Sequence, residues 1–252
     1  MRTVLLITLL MFSTLSFAQT DSQPSFAFGN NLQGTNGVDG GNVNAVQAYT
    51  KLQEQADAAY KDKNYEQAYK LYYRLAEYGD KFSQYRIAYM HQKGYGVEKN
   101  MVKALAWSYV SAEKKVKGFV NYHVGLKSKM NEEQVNQGLA LGEEYLEEYG
   151  LYSVAYRAKR LIKKNKKRCT GSRVGSSCDR VSSSGITCNA FENNLPGKEC
   201  LTLGAVGLPA IAGIQPKDLR LVENNLTEIM RTYSPGSVEL RDLQIIKDEK
   251  DQ

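Results

Sequence analysis

Tyr65, Ala68, Tyr69, Tyr72, Leu75 and Ala76 recur at intervals of three and four, the spacing that lays side chains along one face of an α-helix. A helix with one apolar stripe has to bury it against another element, so this pattern demands partners. The Lys63-Asn64 turn precedes the stretch, and Gly79 after it suits a C-terminal cap. The next helix is expected from about Lys81 to Gln92, ending in Gly94-Tyr95-Gly96, with Asn100 as N-cap of a helix through Ala112. Another spans Asn131 to Tyr149, with Val135, Leu139, Gly142, Leu146 and Tyr149 on one stripe. Small residues such as Ala68, Ala104 and Ala112 let short antiparallel helices approach closely, and paired helices at repeating intervals indicate a solenoid.

Composition divides the 252 residues into two modules, because sixteen of seventeen Tyr fall between Tyr49 and Tyr156 while all four Cys fall between Cys169 and Cys200. A basic run separates them. Arg157, Lys159, Arg160, Lys163, Lys164, Lys166, Lys167 and Arg168 are eight basic residues with no acid among them. With those eight and Arg2 set aside, 24 of the 33 basic residues remain against 27 acidic ones, so the net charge of +6 belongs to the run. At the N-terminus, Arg2, the apolar Val4 to Phe12 and the small Ser16 and Ala18 read as a secretory signal peptide over residues 1–18. No Cys follows the apolar run, so the expectation is an exported chain, periplasmic or secreted, and not a lipoprotein. Residues 19–42 are rich in Gly, Asn and Gln without helical or strand periodicity and read as a flexible arm.

The segment Ser83-Gln84-Tyr85-Arg86-Ile87-Ala88-Tyr89-Met90-His91-Gln92-Lys93-Gly94-Tyr95-Gly96-Val97, then Asn100, Lys103-Ala104, Trp107 and Ser111-Ala112, resembles one unit of the Sel-one-like repeat, a bacterial relative of the tetratricopeptide repeat. Tyr60 to Gly79 is similar to the helix pair that leads into such a unit, and the Met130 to Gln134 segment with its helix is similar to the closing one. The resemblance covers about residues 57–149. His91 stands where Tyr is usual, Asn100 where Asp is usual and Lys115 where Gly is usual; Lys117 to Lys129 matches loosely. Such a resemblance implies a non-enzymatic scaffold or adaptor whose curved helical surface meets other proteins or peptides. Tyr85, Tyr89 and Tyr109 are the expected exposed aromatic positions of that surface, and Trp107 a core residue.

Chemistry-bearing patterns point away from an enzyme. His91 and His123 lie 32 positions apart without a His-Glu-x-x-His helix, the Ser-rich Ser172 to Ser184 holds no Gly-x-Ser-x-Gly elbow, and Glu143, Glu144, Glu147 and Glu148 read as a solvated face. No catalytic residue, metal site or cofactor is expected. Eight, nine and eleven residues separate the successive cysteines Cys169, Cys178, Cys188 and Cys200, which fits no zinc ribbon; in an exported chain disulfides are expected. Three pairings are open, of which the sequential one closes the shortest loops. Leu201 to Ile214 suits a short buried strand or packed loop, Pro216 opens a helix carrying Leu219, Val222, Leu226, Ile229 and Tyr233, and Val238 to Ile245 suggests a strand pair or bulged strand.

The expected fold is mainly α. It comprises a short helical-repeat solenoid over 43–152, a basic junction helix over 153–168, and a small disulfide-linked α+β module over 169–252. The expected partner is a protein or peptide of the cell envelope. A second reading has Arg157, Arg160, Lys163, Lys164, Lys167 and Arg168 binding an anionic envelope surface of lipid head groups, lipopolysaccharide or acidic glycan; nucleic acid fits an exported chain poorly.

Overall fold

The structure, a computed structural model, describes residues 45–165, 191–192, 195–196, 198–206, 216–237 and 239–247. The expected signal peptide and arm, and with them Lys167, Arg168, Cys169, Cys178 and Cys188, lie outside the described residues. The chain is mainly helical. Seven helices follow one another: α1 (Ala45–Lys61), α2 (Tyr65–Ala76), α3 (Lys81–Lys93), α4 (Met101–Ser111), α5 (Lys117–Lys127), α6 (Glu132–Tyr149) and α7 (Leu151–Asn165), with a 3-10 turn at Ala112–Lys114. After a two-residue pairing of β1 (Phe191–Glu192) with β2 (Leu195–Pro196) come α8 (Lys198–Ala205) and α9 (Pro216–Thr232).

Local chemistry sets the helix ends. Asp80 accepts from the Ser83 amide at 2.6 Å, Asn100 from the Lys103 amide at 2.9 Å, and Asn131 forms a capping box with Gln134. Gly94 ends α3 in the left-handed region at φ +76°, and Gly96, also left-handed, lies so close to the Tyr65 carbonyl that a Cβ there would overlap it. The loop between α3 and α4 is thereby pressed onto the start of α2.

Packing runs α1 on α2, α2 on α3 and α3 on α4, and α4 then packs along α6 with α5 at its side. Gly138 and Gly142 bring α6 onto α4: a Cβ at Gly138 would stand 2.8 Å from Leu105, and one at Gly142 3.0 Å from the Tyr109 ring. α4 is consequently enclosed from Ala104 to Ser111. One core gathers Leu52, Leu71, Tyr72, Leu75, Ile87, Met90 and Trp107; another gathers Ala104, Leu105, Tyr109, Leu126, Leu139 and Leu240.

A buried polar knot joins these layers. Lys81 Nζ, 1% exposed at its side chain, lies 2.6 Å from Glu113, itself 2% exposed. It also donates to the Val110 carbonyl and to Gln84 Oε1, each at 3.0 Å. The Glu113 oxygens accept the Leu151 amide at 3.0 and 3.1 Å, so a residue beyond α4 caps the start of α7. Gln84 donates to the carbonyls of Ala76 and Tyr149. Burial pushes the Lys81 ammonium below its ordinary value, and the Glu113 carboxylate opposes that shift.

The C-terminal part corrects the expectation of an α+β module. Leu201, expected in a strand or packed loop, lies in α8, and residues 239–247 after α9 form a turn and irregular chain rather than strands. Their cores are shared: Ala45 and Ala48 of α1, Ala155, Ala158 and Ile162 of α7, Leu203 of α8, and Val222 and Leu226 of α9 form one cluster. Cys200 is buried in that cluster and disulfide-bonded, its partner lying outside the described residues.

Removing one member of a buried ion pair leaves the other charged and unpaired, which costs on the order of 3–5 kcal/mol. Lys81→Met is therefore expected to lower the urea-unfolding free energy by about that amount, whereas Lys70→Met, in an exposed pair with Glu66 on α2, shifts it by less than about 1 kcal/mol.

Candidate functional site

Two of the three tyrosines singled out from the sequence stand in a half-buried aromatic ladder. Tyr85 meets Tyr122 edge-on with ring centres 4.8 Å apart, and Phe119 at 5.6 Å; Tyr89 meets Tyr95 at 6.2 Å, and Tyr95 stacks on Tyr65 at 4.4 Å. The ladder runs from α5 across α3 to the start of α2. The Tyr122 hydroxyl donates to Gln92 at 3.2 Å, and burial holds its phenol well above the ordinary value. Tyr109 does not belong to this surface. It is 3% exposed, packed under Gly142 and edge-on to His123, because α4 is enclosed by its neighbours and leaves no outward position there. Trp107 is 1% exposed and stacks on Tyr149, as a core residue.

The basic run divides by role. Arg157 turns inward and donates to the carbonyls of Glu148 at 2.7 Å and Glu77 at 3.0 Å, tying α7 to the ends of α6 and α2. It is a structural residue rather than part of an anion-binding face. Lys159 donates to Thr227 of α9. Arg160, Lys163 and Lys164 remain exposed, and Arg160 lies 5.9 Å above the ring of Tyr156, which stacks in turn on Tyr152 at 6.3 Å.

A Ser-His pair, not anticipated from the sequence, lies between α4 and α5: Ser108 Oγ is 2.8 Å from His123 Nδ1. Its geometry opposes nucleophilic chemistry. Ser108 donates its own proton to the Leu105 carbonyl at 2.7 Å, which assigns the hydrogen between Ser108 and His123 to the imidazole. Both side chains are sealed in the core, at 0% and 1% exposure. His91, the other histidine, is also buried, with Nε2 3.1 Å from the Tyr69 hydroxyl. Among the described residues no group of three His, Cys, Asp or Glu could hold a metal ion, and no helix is long and apolar enough to cross a membrane.

The arrangement with a clear binding geometry lies where the sequence suggested a strand. Residues 239–247 run along a groove floored by α4 and walled by α5 and α6. Leu240, 0% exposed, sits among Ala104, Leu105, Tyr109, Leu126 and Leu139, with Leu243 packed beside it. Arg241 makes a forked pair with Glu143 of α6 at 2.6 and 2.8 Å, and its carbonyl accepts from Lys127 of α5 at 3.0 Å. Asn121 of α5 reads the backbone of Ile246 twice, accepting from its amide at 2.7 Å and donating to its carbonyl at 3.0 Å. The Arg241 hydrogen bonds hold the Glu143 carboxyl below its usual range. Glu143, expected on a solvated face, is thus the acid that receives the segment. The sequence signal is the spacing of Leu240 and Leu243, three residues apart with Arg241 and Asp242 between, which suits a regular strand poorly.

Burial lowers the His123 pKa from about 6.5 to about 4. Its unfolded form takes up a proton that the folded site refuses. This contribution to stability is therefore fully present above about pH 6.5 and declines as pH falls toward about 4, by on the order of 3 kcal/mol in total. Urea midpoints measured from pH 7 to 5 are expected to fall on acidification, and the His123→Gln variant to show a shallower fall whatever its starting stability.

No family model matches this chain, and no curated protein or solved structure does.

Proposed function

We propose that this chain is an exported, non-enzymatic scaffold of Sel-one-like helical repeats that binds a protein or peptide of the cell envelope. One observation carries the reading: α4, α5 and α6 hold an irregular segment, residues 239–247, by the means used to hold a peptide. An apolar floor takes Leu240, a carboxylate takes Arg241, and an Asn side chain bonds the main chain of Ile246 without regard to its side chain. The aromatic ladder adjoins this groove through Tyr122, which packs against both cores. Half-buried rings such as Tyr85 and Tyr89 add large rigid contact area at little entropic cost. The enclosed state of Ser108 and His123 supports the non-enzymatic side of the reading.

A photo-crosslinker placed at position 89 of the full chain, in its native compartment, is expected to attach to one discrete protein. With that protein purified, Tyr85→Ala/Tyr89→Ala is expected to weaken binding at least tenfold with the helical circular dichroism unchanged. Unfolding of the double variant, or undiminished binding, would assign the two rings to packing alone.

The ladder on α7 favours a second reading, binding of an anionic envelope surface. Tyr152, Tyr156 and Arg160 stack at intervals of four along one face, with Lys163 and Lys164 exposed beyond them. Each cation near an anionic membrane contributes about 1 kcal/mol at moderate salt. Under that reading the protein sediments with phosphatidylglycerol vesicles at low salt and is released at high salt, and Arg160→Glu/Lys164→Glu abolishes the binding.

A further inference from the structure

We propose that the groove between α5 and α6 recognises an extended peptide of a partner protein with an apolar-Arg-x-apolar pattern, and that the chain's own residues 239–247 occupy it in cis as a competitor. The proposal rests on the reading of the chain as a peptide-binding scaffold and names its site, its ligand pattern and its control.

The segment lies antiparallel to α5, since Arg241 meets Lys127 near the end of that helix while Ile246 meets Asn121 near its start. Between these points it turns at residues 241–242 and then runs without regular secondary structure. Side chains of the groove pair with its main chain at both ends, which any peptide sequence can satisfy. Sequence enters at three positions: Leu240 fills the floor, Arg241 forks onto Glu143, and Leu243 packs at the edge.

Attachment of the segment is shallow. Leu240 alone of its described residues is buried; Leu243 is half-buried, and Ile245 and Ile246 remain 59% and 38% exposed. The hydrogen bonds from Asn121, Lys127 and Glu143 to the segment lie at the exposed surface. A segment attached this way opens locally at little cost compared with the helices beneath it. It nevertheless competes well, because tethering keeps it at an effective concentration on the order of millimolar. The ion pair gives polarity to the choice of ligand: Glu143 selects a cation after the first apolar residue, and an acidic residue there would be repelled.

The probe is a fluorescently labelled synthetic peptide of residues 238–247, titrated into the full chain and read by anisotropy. Wild type is expected to bind it weakly. The full-length variant Leu240→Asp/Arg241→Glu, whose own segment no longer fits, is expected to bind it at least tenfold more tightly. Adding Asn121→Ala or Glu143→Arg is expected to remove most of that gain, and a peptide with Asp at the Leu240 position is expected not to bind. Equal affinity for wild type and the emptied variant would overturn cis competition while leaving the peptide-binding reading in place. No binding by an emptied variant of unchanged helicity would overturn the groove as a peptide site, and with it the observation on which that reading stands. Loss of helicity in the variant would make the segment a structural part of the fold and overturn the proposal. A wild-type dimer that the emptied variant fails to form would assign the groove to a second copy of the chain, which also overturns it.

Discussion

The buried Lys81–Glu113 pair is the constraint on which the arrangement of the helices depends. Two charges withdrawn from water need their hydrogen-bonding capacity met, and here that is met from four directions. Lys81 bonds Glu113, the Val110 carbonyl at the end of α4 and Gln84 of its own helix; Glu113 in turn caps α7 through the Leu151 amide. Gln84 extends the knot to the ends of α2 and α6. Hydrophobic contact alone would let these helices slide by a turn without great loss. The knot permits one register, because a shift of even one residue would leave a buried charge or helix end unsatisfied. The close approach of Gly138 and Gly142 to α4 then fixes α6, and α6 carries Glu143 to the edge of the groove.

The C-terminal helices complete the fold rather than add to it. Ala45 and Ala48 at the start of α1 and Ala155 and Ala158 on α7 are small residues that would stand in water without Leu203, Val222 and Leu226. Gly204 lets α8 come so close to α1 that a Cβ there would stand 2.5 Å from the Ala45 carbonyl. With the ends of the helical array covered, the chain that leaves α9 turns at Ser234–Ser237 and is free to lie across α5 and α6.

What the sequence made legible is what short-range chemistry decides. The cap at Asn100, the helix end at Gly94, the helix starting at about Asn131 and the apolar stripe from Tyr65 to Ala76 each depend on residues within a turn or two, and each stands where the spacing placed it, with Asn131 as the cap of α6 rather than its first residue. The knot was not legible, because a lysine and a glutamate 32 positions apart read as surface residues until the fold brings them together. Tyr109 reads as an exposed ring in the sequence for a related reason, yet it is buried. Helix α4 reads Met-Val-Lys-Ala-Leu-Ala-Trp-Ser-Tyr-Val-Ser, apolar nearly all round, and such a helix is central and has no outward face. A helix of eight residues shows little periodicity, so Leu201 in α8 reads from the sequence as strand or loop. The groove is not legible in the sequence, because its floor, walls and occupant come from four separate stretches of chain. The segments read as an export signal and an arm, and three of the four cysteines, lie outside the described residues.

The energetics of the groove suit control better than permanent closure. Burying Leu240 contributes about 2 kcal/mol, and an exposed arginine-carboxylate pair contributes up to about 1 kcal/mol. The conformational entropy of ordering the segment opposes both. On the proposal of cis competition, a closed state favoured by about 2 kcal/mol would leave roughly one molecule in thirty open and weaken the apparent affinity of a competing ligand about 30-fold. Such a penalty rejects peptides that match only the main-chain contacts, which the cis segment makes equally well. It admits one that adds contacts beyond the groove, and the adjoining ladder of Tyr122, Tyr85 and Tyr89 is placed to supply them. The self-bound segment therefore acts as a threshold: a partner has to engage the groove and the ladder together to displace it.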